Sequence, residues 1–454
     1  MSGPALDYTY RYLFASELAP TTQGDRLRLA TCGGTAEHPY FFQGRLTRPQ
    51  RTADLLRGLV QLVQSRFHVP PAMLTRILLA ADPVVTSSED VLRFEAFSAC
   101  CSTYARVDLL PGAVDGTLQG RGTTNVDFNA AMRASLARIR DTDRVELSVG
   151  ARTVELSRSG ESVVERKVAL PIRWLKGFVE VQAYQARMTP CLEVPGAEAW
   201  RFLRSLPRSN VKQASWVVPV GRGLRLSQRA APGGVCVGGI QRLRSLEDLA
   251  RHARRLLVFA HPDSQTSAWV LDIEDARFHL VLSPEVWRGF SGEGQALAHI
   301  AGSARTRALP QLQASLKWQT RIDSQSLAEK FSLSSDTVAA TLSVLGARGL
   351  VGFDLAEAAY FHRELPFDLS RVETLQPRLR DARKLLAKGG AQIVKQEGDR
   401  VEAVVAGSGV EHRVRLSPDG ARCSCPWFAK HQGQRGPCKH VLAVQLMLDP
   451  DNGG

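Results

Sequence analysis

Cys423-Ser424-Cys425-Pro426-Trp427-Phe428-Ala429-Lys430-His431-Gln432-Gly433-Gln434-Arg435-Gly436-Pro437-Cys438-Lys439-His440 is the stretch whose reading decides how the C-terminal part of the chain folds. It runs C-x-C, then twelve residues, then C-x-H. Thiolates and a neutral imidazole are the ligands tetrahedral zinc prefers, and four protein ligands leave no open position, so the pattern points to one structural ion. Residues two apart on a strand share a face, which lets Cys423 and Cys425 point at one ion while Arg422 and Ser424 point away. Gly436-Pro437 is a turn that launches a helix, and Val441, Leu442, Val444, Leu446, Met447 and Leu448 supply its apolar run. The positive end of that helix favours a thiolate at Cys438. The alternative is three buried cysteines beside a chance histidine.

Immediately upstream, Ala391–Gln396, Arg400–Ala406, Glu411–Leu416 and Ala421–Cys425 read as a four-stranded meander, with glycine-bearing turns between them. Val410, His412, Val414 and Leu416 line one face of it, and Glu411, Arg413 and Arg415 the other. Between Cys425 and His440 there is no acidic residue, while Trp427, Phe428, Lys430, His431, Arg435 and Lys439 are present. Basic and aromatic residues together suit phosphates and bases. Trp427 and Phe428 equally suit the small core that a zinc module needs. Cys423, Cys425, Cys438 and His440 are therefore the candidate metal ligands. Trp427, Lys430, Arg435, Lys439, Arg413 and Arg415 are the candidate contacts to nucleic acid or a protein partner.

C-x-C-x12-C-x-H before a short helix resembles the SWIM zinc finger. Members of that family are zinc modules attached to bacterial ATPases, transposase-like proteins and ubiquitin-ligase-like proteins, and are regarded as DNA-binding or protein-binding. The resemblance implies one zinc and a recognition role, and implies no reaction. The layout of the whole chain is similar to bacterial SWIM zinc finger family proteins, whose genes neighbour those of MoxR-type ATPases and von Willebrand A domain proteins. That likeness implies an adaptor in an ATPase assembly.

The chain has 454 residues, 44% hydrophobic and 23% charged, which is an ordinary globular balance with length for about three domains. No apolar run is long enough to span a bilayer, and the first residues have neither a basic nor an apolar signal region, so a cytoplasmic protein is expected. Apart from the three cysteines of the zinc pattern there are Cys32, Cys100, Cys101, Cys191 and Cys236, an odd set read as reduced, buried thiols. The net charge of +13 favours a polyanionic partner, nucleic acid or an acidic protein face, unless it reflects codon bias alone.

The expected class is an α+β multidomain fold. It comprises a mixed N-terminal region with antiparallel strands, a winged-helix-like domain, and a small C-terminal zinc-binding ββββα module. Residues 1–85 read as helical, with one helix over Arg51–Phe67 and a second around Met73–Leu79. Residues 86–305 read as α+β. Strands are expected at Val91–Phe97, Ser215–Val220, Gly223–Gln228, Gly234–Val237, Ala268–Ile273 and Arg277–Leu282. A meander is expected over Arg144–Val149, Arg152–Ser157 and Ser162–Leu170, and helices at Asp127–Arg140 and Ser245–Leu257. On the last helix Arg251, Arg254 and Arg255 share one side, a stripe that would face either phosphates or solvent. Residues 301–320 read as a connection.

Residues 315–370 resemble a winged helix, with Ser324–Phe331 and Ser335–Ala347 as the helix-turn-helix and Leu350–Asp354 and Ala359–Leu365 as wing strands. The second helix begins Ser335-Asp336-Thr337, which is poor in the residues that read bases. Residues 371–448 form the zinc module, opened by a basic helix, and 449–454 a disordered tail. The competing function is a metal-dependent nuclease or hydrolase with its active site in residues 86–300, drawing on Asp127, Asp272, Glu274 and His261. Helix capping, a surface turn at His261-Pro-Asp263 and a hairpin turn at Asp272–Asp275 explain those residues without chemistry.

Overall fold

A nine-stranded sheet forms the middle of the molecule, in the order 189–195, 255–260, 267–272, 276–282, 103–109, 92–97, 84–87, 122–126, 31–32. Every neighbouring pair in it is antiparallel. The coordinates are those of a computed structural model. It describes residues 10–11, 17–21, 24–29, 31–32, 40–65, 67, 83–118, 120–126, 130–150, 166–167, 172–209, 213–301, 308–365, 376–418 and 420–448.

Two of the central strands explain how the sheet is covered. Leu92–Phe97 and Thr103–Leu109 are buried at every position, on both faces. One set of side chains is apolar, Phe94 and Val107 among them, and lies in one core with Leu55, Leu56 and Leu59 of the helix Pro49–Gln64. Alternation places Arg93 and Glu95 on the other face, beside their cross-strand partners Asp108 and Arg106, with His279 next along from Arg106. Burying such a ladder is costly unless each charge finds a partner. The hairpin Val351–Asp354/Ala359–His362 supplies the missing ones. Asp354 lies 3.0 Å from Arg106 and 3.6 Å from Arg93, and Arg106 donates to the Phe353 carbonyl at 2.9 Å. Arg363 bonds Glu95, which also accepts from Tyr104 at 2.6 Å. The Phe361 ring lies 4.2 Å beneath the Arg93 guanidinium.

The helix Ile172–Gln185 covers the rest of that face. Phe178 meets Phe97 edge-on at 5.0 Å. Gly177 permits the approach, since a Cβ there would sit 2.9 Å from the Phe97 ring.

Mixed helices with antiparallel sheets are as the sequence indicates, but several local readings change. Among the described residues of 1–85, strands and not helices predominate. Strands at Glu17–Thr21, Gly24–Leu29 and Tyr40–Leu46 belong to a second, five-stranded sheet, and the one described helix there is Pro49–Gln64. The expected helix Met73–Leu79 and the strand Arg152–Ser157 lie outside the described residues. Val145–Gly150 is a strand, but it sits between Gly24–Leu29 (parallel) and Tyr40–Leu46 (antiparallel), not in a local meander.

The expected helix Ser245–Leu257 is replaced by short 3-10 turns, Ile240–Leu246 and Ala250–His252, and then the strand Arg255–Ala260. The apolar run Leu256-Leu-Val-Phe-Ala260 pairs on both edges, and tertiary pairing overrides the local signal. The arginine stripe goes with the helix. Arg251 pairs with Asp54 at 2.7 Å, Arg254 with Glu274 at 3.0 Å, and Arg255 with Asp272 at 2.7 Å.

The connection 301–320 contains a helix, Leu309–Ala314. Helices Ser324–Phe331 and Ser335–Ala347 form where read, capped by Asp323 and Ser334. Among the thiols, Cys100 and Cys101 are buried, Cys236 is half-buried and Cys191 is exposed, so the set is not uniformly packed away. Among the described residues no helix is long and apolar enough to cross a membrane.

Candidate metal centre

The strands Ala391–Glu397, Arg400–Ala406, Glu411–Ser417 and Gly420–Cys423 form an antiparallel meander in chain order. Alternation puts Val401, Ala403, Val405 and Val414 inside, against Leu379 and Ala382 of the helix Pro377–Ala387 and Val441, Leu442 and Val444 of the helix Lys439–Met447. The same core takes in Val179 and Ala183 of the helix Ile172–Gln185, so the module is built into the body.

Each ligand is placed by an element. Cys423 ends the last strand, opposite Val414. Cys425 caps the helix Pro426–His431, its Sγ accepting the Phe428 N–H at 3.3 Å, and Pro426 fits the first position because it has no N–H to waste. Cys438 caps the helix Lys439–Met447, its Sγ accepting the Val441 N–H at 3.5 Å. His440 stands in the first turn of that helix, its Nδ1 3.8 Å from the Cys423 Sγ. The four side chains are buried and their ligand atoms all lie within 4.8 Å of one another.

Bond lengths of about 2.3 Å to sulfur and about 2.0 Å to nitrogen put tetrahedral ligand atoms roughly 3.3–3.8 Å apart, so this group fits one structural zinc after small adjustments. Zinc would contribute a closed, redox-inert crosslink between strand and helices. The donor chemistry agrees. A hydrogen bond with Cys423, and a further one with His440, pull the Cys438 thiol down to about 4. The same bond with Cys438 and burial push Cys423 up. The pair holds a proton that metal binding would expel.

Among the described residues a second buried group has metal-ligand chemistry, Asp108, His279 and Asp354, and it is a different case. Arg106 lies 2.8 Å from Asp108, and burial with the Arg106 charge keeps His279 below its usual range. Two guanidiniums already neutralise the two carboxylates, so a divalent ion would face cations. This cluster fastens the 351–362 hairpin to the sheet.

The candidate contact residues divide by position. Lys430, Arg413 and Arg415 are exposed, and Lys439 is half-buried. Trp427 and Arg435 turn inward. Arg378 lies 4.8 Å over the Trp427 ring and donates to the carbonyls of Arg435 at 2.7 Å and Pro437 at 2.9 Å. Arg435 donates to the Gly292 carbonyl at 3.0 Å. Gln295 donates to the Gln434 carbonyl at 2.7 Å. Gly436 touches the Gly294 carbonyl, has φ +76°, and leaves no room for a Cβ. These contacts dock the loop 432–437 onto residues 292–295. Sequence reasoning missed Arg378 and Gln295 in this role; Gly436 was seen only as a turn.

The carboxylates of the competing enzyme reading are not gathered. Asp272 bonds Arg255, Glu274 pairs with Arg254, and His261 is buried elsewhere, only 4% exposed, where a surface turn was expected. Asp127 lies outside the described residues.

A three-cysteine, one-histidine ligand set closed by two helix N-termini under a small meander defines a structural zinc finger. Residues 412–449 match the SWIM zinc finger family, and the chain therefore carries a SWIM zinc finger. No curated protein matches the chain. Among solved structures, the proliferating cellular nuclear antigen of Entamoeba histolytica is similar at 8% identity with a TM-score of 0.36, over 54% of this chain and 99% of that one. A likeness that loose carries no argument about fold or function.

Proposed function

We propose that this chain is a recognition protein that binds nucleic acid through phosphate contacts on the exposed face of its zinc-finger sheet. The observation that carries the reading is a basic array on that face. Arg415 and Arg422 are cross-strand neighbours, Arg413 lies one step along on the same side, and all three are exposed. Lys395 and Arg400 join Arg415 and Arg422 around a depression of about 550 Å3. Glu402 pairs with Arg415 at 3.0 Å and Glu397 with Lys395 at 3.0 Å, both in solvent, where such pairs are weak and exchange readily for phosphates. The chain's +13 charge supplies long-range attraction.

Lys430 and Lys439 extend the basic surface towards the finger's helices. The winged-helix-like segment is proposed as a packing element. The family resemblance also supports a protein partner, a MoxR-type ATPase or a von Willebrand A domain protein, and reduced thiols such as Cys191 and Cys236 support a cytoplasmic setting.

The test is binding of a labelled oligonucleotide to the zinc-loaded chain at several salt concentrations. Affinity should fall steeply with salt, and Arg413→Glu with Arg415→Glu should flatten the slope by about two phosphate contacts. Affinity indifferent to salt contradicts a phosphate-driven mode.

A further inference from the structure

The helix Pro377–Ala387 has a side that the zinc-finger core does not use. Leu379 and Ala382 are buried in that core, and Leu385 and Leu386 pack against it. On the opposite side Arg380, Lys384 and, at the C-cap, Lys388 follow one another a turn apart, and all three are exposed. Arg380 pairs with Asp381 at 3.7 Å in solvent, where such a pair is weak. Among the described residues Lys384 and Lys388 have no acidic partner.

Helix stability does not account for this stripe. Lys384 and Lys388 suit the negative end of the helix dipole, but Arg380 stands in the first turn, which holds no acid and where a cation is unfavourable. Nor is the charge spread evenly over the chain. Residues 376–448 carry thirteen Lys and Arg against six Asp and Glu, so just over half of the net +13 lies in this module. The stripe is also held in a fixed orientation. Arg378 on the same helix bonds the carbonyls of Arg435, Pro437 and Glu293, and the Gly390 N–H closes the helix on the Leu385 carbonyl at 2.8 Å.

From Arg380 to Lys388 the helix rises about 12 Å, a length over which one strand of a duplex passes about three or four phosphates. The helix carries no aromatic side chain, so it offers charge without a platform for bases. Three cations at a regular spacing match a regularly charged backbone better than an irregular acidic protein face. We propose that Arg380, Lys384 and Lys388 form a second phosphate-backbone contact, gripping a further stretch of the nucleic acid that the finger's sheet face binds. The proposal rests on the nucleic-acid reading above.

Its test is the salt dependence of oligonucleotide binding by the zinc-loaded full chain. The variant Arg380→Gln with Lys384→Gln and Lys388→Gln keeps good helix formers at exposed positions, so circular dichroism and zinc content should be unchanged. Its plot of log affinity against log salt should be shallower than wild type by about 2–3, at about 0.9 per lost contact. A control with the same loss of charge on the body, Arg222→Gln with Arg225→Gln and Arg229→Gln, all exposed, should keep the wild-type slope within about 0.5. Equal flattening by both variants reduces the stripe to net charge and overturns it. An unchanged slope in the helix variant, beside a flattened one in Arg413→Glu with Arg415→Glu, overturns the stripe and leaves the sheet face standing. Flattening by the helix variant alone supports the stripe and removes the sheet face. If the helix variant loses binding of polyglutamate and keeps that of the oligonucleotide, the stripe serves an acidic protein and the proposal fails.

Discussion

Glu180 shows how a single side chain reports on the docking of the finger. It is 1% exposed, and its Oε2 accepts the Gln295 N–H at 2.8 Å, next to the residues that hold the finger's loop. Burial pushes its carboxyl up to about 8, against a usual value near about 4.3. Between those values the folded chain keeps a proton that the unfolded chain lacks. Its contribution is therefore full below about pH 4 and is lost as pH rises through about 8. The urea midpoint of zinc-loaded wild type should fall from pH 5 to pH 8 relative to that of Glu180→Gln. Parallel profiles would show that Glu180 is ionised in the folded state. At this scale the sequence was most legible where chemistry is local. Cys423, Cys425, Cys438 and His440 come together because strand alternation and helix caps place them within one strand and two short helices that follow each other in sequence. Arg378, Gln295 and Glu180 were invisible because their roles arise from contacts between residues more than fifty positions apart.

Among the elements, the 351–362 hairpin and the helix before it show what tertiary contact adds to a motif. Strand Val351–Asp354 is almost wholly buried, and Asp354 is locked to Arg106. Removing one member of a buried ion group strands its partners, so Asp354→Ala should cost about 3–5 kcal/mol in chemical unfolding. A loss below about 1 kcal/mol would mean that the hairpin is not fastened this way. The helix Ser335–Ala347 is buried over most of its second half and exposes Ser335, Asp336, Ala339 and Ala340. Ser335→Glu with Ala339→Glu should leave oligonucleotide affinity within about twofold, whereas Arg413→Glu with Arg415→Glu should lower it about tenfold or more at low salt. The reverse ranking would restore the helix as the nucleic-acid reader. Strands with clear alternation, such as Arg400–Ala406 and Glu411–Ser417 of the zinc module, were legible. The helix Ile172–Gln185 was not, because Glu180, Gln182 and Gln185 are buried along with its apolar residues and no polar stripe marks its period. Arg93, Glu95, Arg106 and Asp108 make their strands look half-solvated, although both faces are covered.

Over the whole molecule, the zinc finger is neither a tail nor an appendage. Its core includes Val179, Ala183, Ala296 and Leu297 of the body, and its loop 432–437 is bonded to residues 292–295. The body fixes how the basic sheet face is presented. Zinc closes that arrangement by tying Cys423 on the sheet to Cys438 and His440 on the helix that fills the shared core. The most direct test is native mass spectrometry of the purified chain beside Cys423→Ser. One zinc per chain is expected in the wild type and none in the variant. A wild-type chain that carries no zinc, even after incubation with the metal under reducing conditions, would contradict the zinc-closed architecture on which the functional proposal stands.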